Sequence, residues 1–196
     1  MRQPRSIRPY RPEDLDVLVP IYIACFREWP WCEVFASDEV RSDFATILSW
    51  PETVFLVIED GDGKPFGAAI GFGVHRKSDV RDLLPHAMHA SFYLAEVFVD
   101  SEARGHGSCG WLLRVLSATA AKNGYAMLSA RTSVNQPIIQ HVMVDDLGCS
   151  IVGREEVVSR KIIDGEIVDA PDTRVLMAGP TKPFDDRPAR GCHSDY

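Results

Sequence analysis

Residues 93–116 read YLAEVFVDSEARGHGSCGWLLRVL. An apolar, strand-like run meets a short polar bridge, then a glycine-rich loop, then an amphipathic run at helical spacing. Gly105, Gly107 and Gly110 match G-x-G-x-x-G letter for letter. A dinucleotide-binding turn needs its first glycine directly after the strand, and an acid about 20 residues further on for the ribose hydroxyls. Here DSEAR intervenes, and the next strand ends near ARTSVN without Asp or Glu. Arg131 in that strand leaves NADP open as the weaker alternative. A Walker A loop is excluded, because no Gly-Lys-Ser/Thr follows the glycines.

What remains is Arg104, Gly105, His106, Gly107, Ser108, Cys109 and Gly110 at the mouth of a helix. Glycines let successive backbone N–H groups turn toward one anion, the helix N-terminus adds partial positive charge, and Arg104 adds a full one. A pyrophosphate fits such a cradle. The plain alternative is a tight turn used only for packing.

Working outward, residues 12–29 place Leu15, Leu18, Val19, Tyr22, Ile23 and Phe26 on one helical stripe. Pro20 inside it predicts a kink or two short helices. Ser37 is the expected N-cap of a second helix running to Pro51. Residues 53–60 and 65–75 read as a hairpin across GDGK, and 92–100 as a strand covered on both faces. A helix over 108–122, burying Leu112, Val115, Leu116 and Thr119, ends at Asn123-Gly124. Then come a strand over 125–133, a helix over 137–147 with Pro at its first position, and late strands around Asp164-Gly165. The order is β-α-α-β-β-β-α-β-α-β-β: one mixed α/β domain of about seven strands, reached through a hairpin rather than repeated β-α-β units. Residues 180–196 are polar and Pro-bearing, and read as a disordered tail.

Bulk properties bound the function. The chain has 196 residues and a net charge of −7, which disfavours a general nucleic-acid binder and suits a cationic small substrate. No apolar run approaches the ~18 residues of a membrane span, and the N-terminus lacks a secretion signal, so a cytoplasmic protein is expected. The cysteines Cys25, Cys32, Cys109, Cys149 and Cys192 form no C-x-x-C, and His86 and His89 stand three apart with no carboxylate or Cys at ligand spacing. No metal is expected.

Glu96 is a carboxylate in the middle of YLAEVFV. Such a group is out of place in a buried strand. Desolvation would raise its pKa toward neutrality, as a general base for an ammonium requires. The alternatives are a solvent-facing Glu at an edge or bulge, or one paired with an arginine. FREWPWCEVFASDE clusters Trp29, Trp31 and Phe35 with Glu28, Glu33, Asp38 and Glu39. Aromatics and carboxylates together suit a cationic amine. Equally, the tryptophans plug the core and the acids cap the second helix.

With Arg104, Gly107 and the small Cys109 at the positions of R/Q-x-x-G-x-G/A, the chain resembles the GNAT superfamily of acyl-CoA-dependent N-acetyltransferases. VFVDSEARGHG, GY, TSVNQP and LGC follow in that family's order, and IRPYRPEDLDVL is similar to its opening. The resemblance covers residues 5–178, strongest over 93–149. It implies a mostly antiparallel sheet with helices on both faces and a splayed central parallel strand pair. It also implies acetyl-CoA as acyl donor, held at the glycine loop and along Val97, Phe98 and Val99, with the N–H of Val97 or Phe98 facing the thioester oxygen. Asn135 matches a position that contacts the pantetheine arm; its other reading is a cap for the helix beginning at Pro137. Glu96 matches a frequent acid. The tyrosine that many relatives use to protonate the thiolate has no counterpart. Counting from Gly148 reaches Val144 and counting from Asn135 reaches Val142, so the helix carries an insertion; His141 is the nearby candidate acid.

Trp29, Trp31 and Glu33 then become acceptor-wall residues. The implied reaction is N-acetylation of a small cationic primary amine by direct attack in a ternary complex. The alternatives are an acyl-CoA-binding sensor without turnover, and acetylation of a protein N-terminus or lysine. The long connection 76–91 reads as a lid or a homodimer contact.

Overall fold

The computed structural model describes residues 6–183. A seven-stranded sheet has the order β1-β2-β3-β4-β5-β7-β6. Its strands are β1 (Ser6–Pro9), β2 (Val54–Glu59), β3 (Pro65–Gly73), β4 (Phe92–Val99), β5 (Met127–Ser133), β6 (Ser150–Ile163) and β7 (Glu166–Pro180). Neighbours pair antiparallel except β4 with β5. Helices α1 (Leu15–Arg27) and α2 (Ser37–Leu48) cover one face, packing Leu18, Tyr22, Phe26 and Phe44 on Phe55, Ile70 and Phe98. Helix α4 (Ser108–Lys122) covers the other, setting Leu112, Leu113 and Leu116 against Leu56, Phe92 and Leu128.

The β4–β5 pairing is the feature on which the site depends. The two strands run together only through 92–94 against 128–130. Beyond Leu94, β4 stays on β3 and β5 stays on β7, so a wedge opens between them. The register of β4 on β3 shifts between Ile70 and Gly71, leaving Ala95 as an extra residue on β4. A bulge of this kind twists its strand and re-aims the residues after it. The expectation of a strand buried along both faces holds at its ends, whereas Ala95, Glu96 and Val97 are only half-buried because they border the wedge.

Several local expectations are corrected. Pro20 does not divide the first helix, which runs unbroken as α1 from Leu15 to Arg27, with Pro20 on its exposed face. The N-cap of α2 is Ala36, not Ser37; the Glu39 carboxylate accepts from the Ala36 N–H at 3.3 Å and supplies what the alanine lacks. On α4, Val115 and Thr119 are half-buried, while Leu113, Ser117 and Ala118 join the core. The helix expected over 137–147 is a short α5 (Pro137–His141) continued by a π-helical turn, Val142–Asp146. A π-turn is the form an inserted residue takes inside a helix.

The connection 76–91 contains a short helix, α3 (Ser78–Arg81), and is fastened to the sheet by buried Val80 and Leu84 against Phe72 and Tyr93. Asp164 (φ 52°) and Gly165 (φ 86°) form the turn joining β6 to β7. Two successive positive φ values make a primed hairpin turn, which continues the twist of the strands. Of the expected tail, Pro180 ends β7, and Thr181 and Lys182 are docked: Thr181 N–H donates to Ala126 O at 3.0 Å, and Lys182 Nζ to Asp146 O at 2.8 Å. Residues 184–196 of that tail lie outside the described residues. Among the described residues, no helix is long and apolar enough to cross a membrane, and no cluster of His, Cys, Asp or Glu is placed to hold a metal ion.

Candidate active site

The wedge opens into a cleft of about 1560 Å³ that runs from the glycine loop, past β4, to the segment joining α1 and α2. At the loop end, Gly105 (φ 82°) and Gly107 (φ 75°) take the left-handed conformation that L side chains rarely adopt. A Cβ on Gly107 would meet nothing within 4 Å. These glycines are therefore set by backbone conformation and not by crowding, and the loop faces open space. Beneath it Ser108, the first residue of α4, is 3% exposed, and its hydroxyl is without a hydrogen-bond partner among the described residues. A buried orphan donor beside a helix N-terminus is a polar group awaiting an acceptor, which fits a phosphate.

Arg104 does not point its charge into the cradle as expected. Its guanidinium is engaged by Glu28, by Val99 O (3.0 Å from Nε) and by Cys25 Sγ (3.4 Å), tying the end of α1 to the end of β4. Arg114 of α4, not among the sequence-predicted site residues, lines the cleft and pairs with Asp146 at 3.4 Å. The polar groups left open at this end are main-chain amides of the glycine loop and the Ser108 hydroxyl. Burial pushes the Cys109 thiol up to about 12, away from the thiolate that a nucleophilic cysteine needs.

Along β4, backbone directions follow from fixed points. Phe98 O lies against Gly67 of β3, and Asp100 N–H donates to Phe66 O at 2.8 Å. Val99 O points the other way, toward Arg104 and Cys25. Since amides alternate along a strand, Val97 turns its N–H into the wedge and Phe98 turns its own to β3. Between the two residues the sequence left open, the structure presents Val97. Val99 lies on the same side, its carbonyl already occupied.

Glu96 lies midway along the cleft. Burial pushes its carboxyl up to about 8, and the nearby Glu33 adds to the effect; Lys77 and the neighbouring Tyr22 hydroxyl pull the other way. It has no arginine partner among the described residues. Tyr93, beside it on β4, is raised to about 12 by burial.

The end of the cleft beside the α1–α2 segment is built differently from the expected aromatic wall. Trp31 stacks under Arg174, with the guanidinium carbon 4.6 Å from the ring centre. Glu33 pairs with Arg174 at 2.7 Å, and Arg174 Nε meets the buried Asp172 at 2.9 Å. Trp29, 76% exposed, sits at the rim. The β6–β7 hairpin reaches across to the same segment: Glu33 bridges to Lys161, and Ile162 N–H donates to Cys32 O at 2.7 Å. The outer edge of β6 is thereby covered and the cleft is roofed at this end. Sequence periodicity gives no sign of such a strap, because it joins residues more than a hundred positions apart.

Charges along the cleft are largely matched. Arg131 pairs with Glu155 at 3.0 Å and Asp79 at 3.6 Å, and Lys77 with Asp79 at 3.8 Å. Asp43, on α2 and lining the cleft, has no ion pair or hydrogen bond among the described residues. At the other wall, Asn135 does not cap α5; the N-cap is Gln136, and Asn135 stands exposed on the lining. His141 is exposed and paired with Asp145 at 2.6 Å. Val142 is buried in the core and borders the cleft, whereas Val144 is half-buried and packs against the core.

The sequence profile of the acetyltransferase (GNAT) family matches residues 18–143. No curated protein sequence matches the chain. Among solved structures, the chain is similar to a ribosomal-protein-alanine N-acetyltransferase from Brucella melitensis at 20% identity and TM-score 0.68, covering 90% of this chain and 99% of that one. A phosphinothricin acetyltransferase from Sinorhizobium meliloti, solved with AcCoA, matches at 19% identity and TM-score 0.67, covering 97% and 96%. A spermidine N-acetyltransferase from Vibrio cholerae, solved with CoA and spermine, matches at 14% identity and TM-score 0.61, covering 91% and 96%.

Proposed function

Because this chain belongs to the acetyltransferase (GNAT) family and so to the acyltransferases, we propose that it moves an acetyl group from acetyl-CoA to the primary amine of a small, cationic acceptor, by direct attack in a ternary complex. The observation carrying this reading is the parting of β4 and β5 beyond Leu94, which opens a strand's own amides onto one cleft shared by the glycine loop and Glu96. Main-chain amides of 104–110 and the Ser108 hydroxyl hold the diphosphate, and Asn135 meets the pantetheine arm. The Val97 N–H faces the thioester carbonyl, where negative charge grows as the amine attacks. Glu96 accepts the proton the amine must lose, directly or through one water. The thiolate leaves unaided, since a thiol with pKa near ~8.5 is a competent leaving group; His141 is held by Asp145, and the π-turn offers Val142 where relatives carry a tyrosine.

The strap supports a small acceptor, since a protein tail or lysine would need an open groove where the hairpin meets the α1–α2 segment. The charge pattern supports a cationic one: the arginines of the acceptor end are each matched by acids, and Asp43 is left over. Two neighbours of known fold bear names of amine-type acceptors, spermidine and phosphinothricin, and one was solved with spermine. A sensor without turnover is the second reading, favoured by the absent tyrosine.

Thiol release from acetyl-CoA across an amine panel tests the proposal. Release with small diamines or aminoalkyl cations supports it; binding of acetyl-CoA with silence toward every amine leaves the sensor. Asp43→Asn is expected to raise KM about threefold to fivefold for dicationic amines, the worth of one exposed charge pair, and to leave monoamines unchanged. Equal effects on both would remove Asp43 as a substrate contact.

A further inference from the structure

Asp172 and Arg174 stand two apart on β7 and so share a face of the sheet. Asp172 is 5% exposed, and its carboxylate is the meeting point of three groups. The buried Ser133 hydroxyl donates to Oδ1 at 2.9 Å. Arg174 Nε lies 2.9 Å from Oδ2, and Lys161 Nζ, from the strap, lies 3.6 Å from it. Oδ2 has no hydrogen-bond partner among the described residues, so the two cations hold it by charge rather than by an aligned N–H. Arg174 continues to the cleft, where Nη2 donates to Glu33 Oε1 at 2.7 Å and to Ser159 Oγ at 3.1 Å. The result is a cluster of two cations and two anions, of which Arg174 and Glu33 line the cleft and Asp172 and Lys161 do not. Apolar side chains would fill this space with less loss of hydration, so packing alone does not call for it.

We propose that Asp172 is a positioning residue for the acceptor amine: it draws the charges of Arg174 and Lys161 to itself and so leaves one Glu33 oxygen for the substrate ammonium. The inference rests on the reading of this end of the cleft as the acceptor site. Glu33 and Lys161 stand directly opposite across an antiparallel bridge, which puts their side chains on the same side. Without Asp172, the Lys161 ammonium therefore has the Glu33 carboxylate within reach. With Asp172 in place, Glu33 is bonded through Oε1 alone, and its Oε2 has no hydrogen bond or ion pair among the described residues. A carboxylate with one oxygen tied and one open is fixed in orientation and still able to accept from an ammonium. Trp31, stacked on the Arg174 guanidinium, helps to pin that cation in place.

Thiol release from acetyl-CoA with 1,4-diaminobutane tests the assignment. Asp172→Asn keeps the size of the side chain and the acceptor for Ser133, and loses the charge. KM for the diamine is expected to rise about fivefold to tenfold, with kcat within about twofold and acetyl-CoA affinity unchanged. Lys161→Met takes away the competing cation. Alone it lowers KM about threefold, and combined with Asp172→Asn it returns KM to within about twofold of wild type. Opposite signs and mutual rescue are what a merely structural cluster does not give, because there each loss adds to the other. A KM unmoved in Asp172→Asn, or a rise that Lys161→Met does not reverse, overturns the role. If Asp172→Asn does not fold by itself, Lys161→Met alone decides, and an unchanged or raised KM there overturns it as well. The reading beneath fails separately: a wild type silent with the diamine, or a Glu33→Gln variant that keeps the wild-type KM, ends Glu33 as the acceptor contact and this role with it.

Discussion

Gly107→Asp is expected to abolish measurable acetyl-CoA binding, weakening it at least about 1000-fold by calorimetry. Two effects combine at this position. Gly107 has φ 75°, so any side chain costs about 1–2 kcal/mol of backbone strain. A Cβ there meets no protein atom within 4 Å, so the carboxylate enters the very space the diphosphate needs. A like charge ~4 Å away at an effective dielectric near 20 opposes binding by about 4 kcal/mol. The charge term dominates. Gly107→Ala separates the two: it carries the strain without the charge, and is expected to lower stability by about 1 kcal/mol while leaving binding within about tenfold. Binding by the aspartate variant equal to that of the alanine variant would show that the loop does not face an anion.

Glu96→Gln is the second large effect. Removing a general base from its proton costs about 10² to 10⁴ in rate, so kcat should fall at least about 100-fold with acetyl-CoA affinity intact. The pH dependence carries the sign. Wild-type Glu96 is protonated below about 8, so kcat/KM should rise with pH and level off above that value. A bound cationic amine favours the ionised carboxylate, so the limb in kcat lies lower than in kcat/KM. Glutamine has no such group, and its residual rate should follow only the amine's own ionisation.

Stability gives an independent readout. The folded protein holds the Glu96 proton more tightly than the unfolded chain, because its pKa is raised from 4.5 to about 8. Its contribution is therefore fully present below pH 4.5 and is lost as pH rises through about 8. Denaturant midpoints should fall over that window in the wild type and fall less in Glu96→Gln. Identical slopes, together with unchanged turnover, would mean that Glu96 neither titrates there nor serves as the base.

How much of this was legible in the chain depends on the distance over which each feature is determined. The hairpin of β2 and β3, the helix after the glycines and the Asp164-Gly165 turn were readable because each follows from neighbouring residues. The out-of-place Glu96 was legible for a related reason, as a charge inside an apolar run. Tyr22 was legible as a member of the helical stripe, and it is buried in the α1–α2 core. Trp31 and Glu33 line the cleft, but their engagement with Arg174 depends on a strand 141 positions away from Glu33. Arg104 was mis-aimed for the same reason: its acid, Glu28, lies 76 positions earlier in the chain.

The sequence by itself determined the elements, their order, the positive-φ glycine loop at the head of α4 and the carboxylate inside β4, because backbone preference and side-chain periodicity act over a few residues. Only the tertiary structure decided where β4 leaves β5, which amide faces the wedge, how the hairpin straps the acceptor end and which charges are already matched. Those are settled by which distant surfaces pack together, and packing joins residues that the chain keeps far apart.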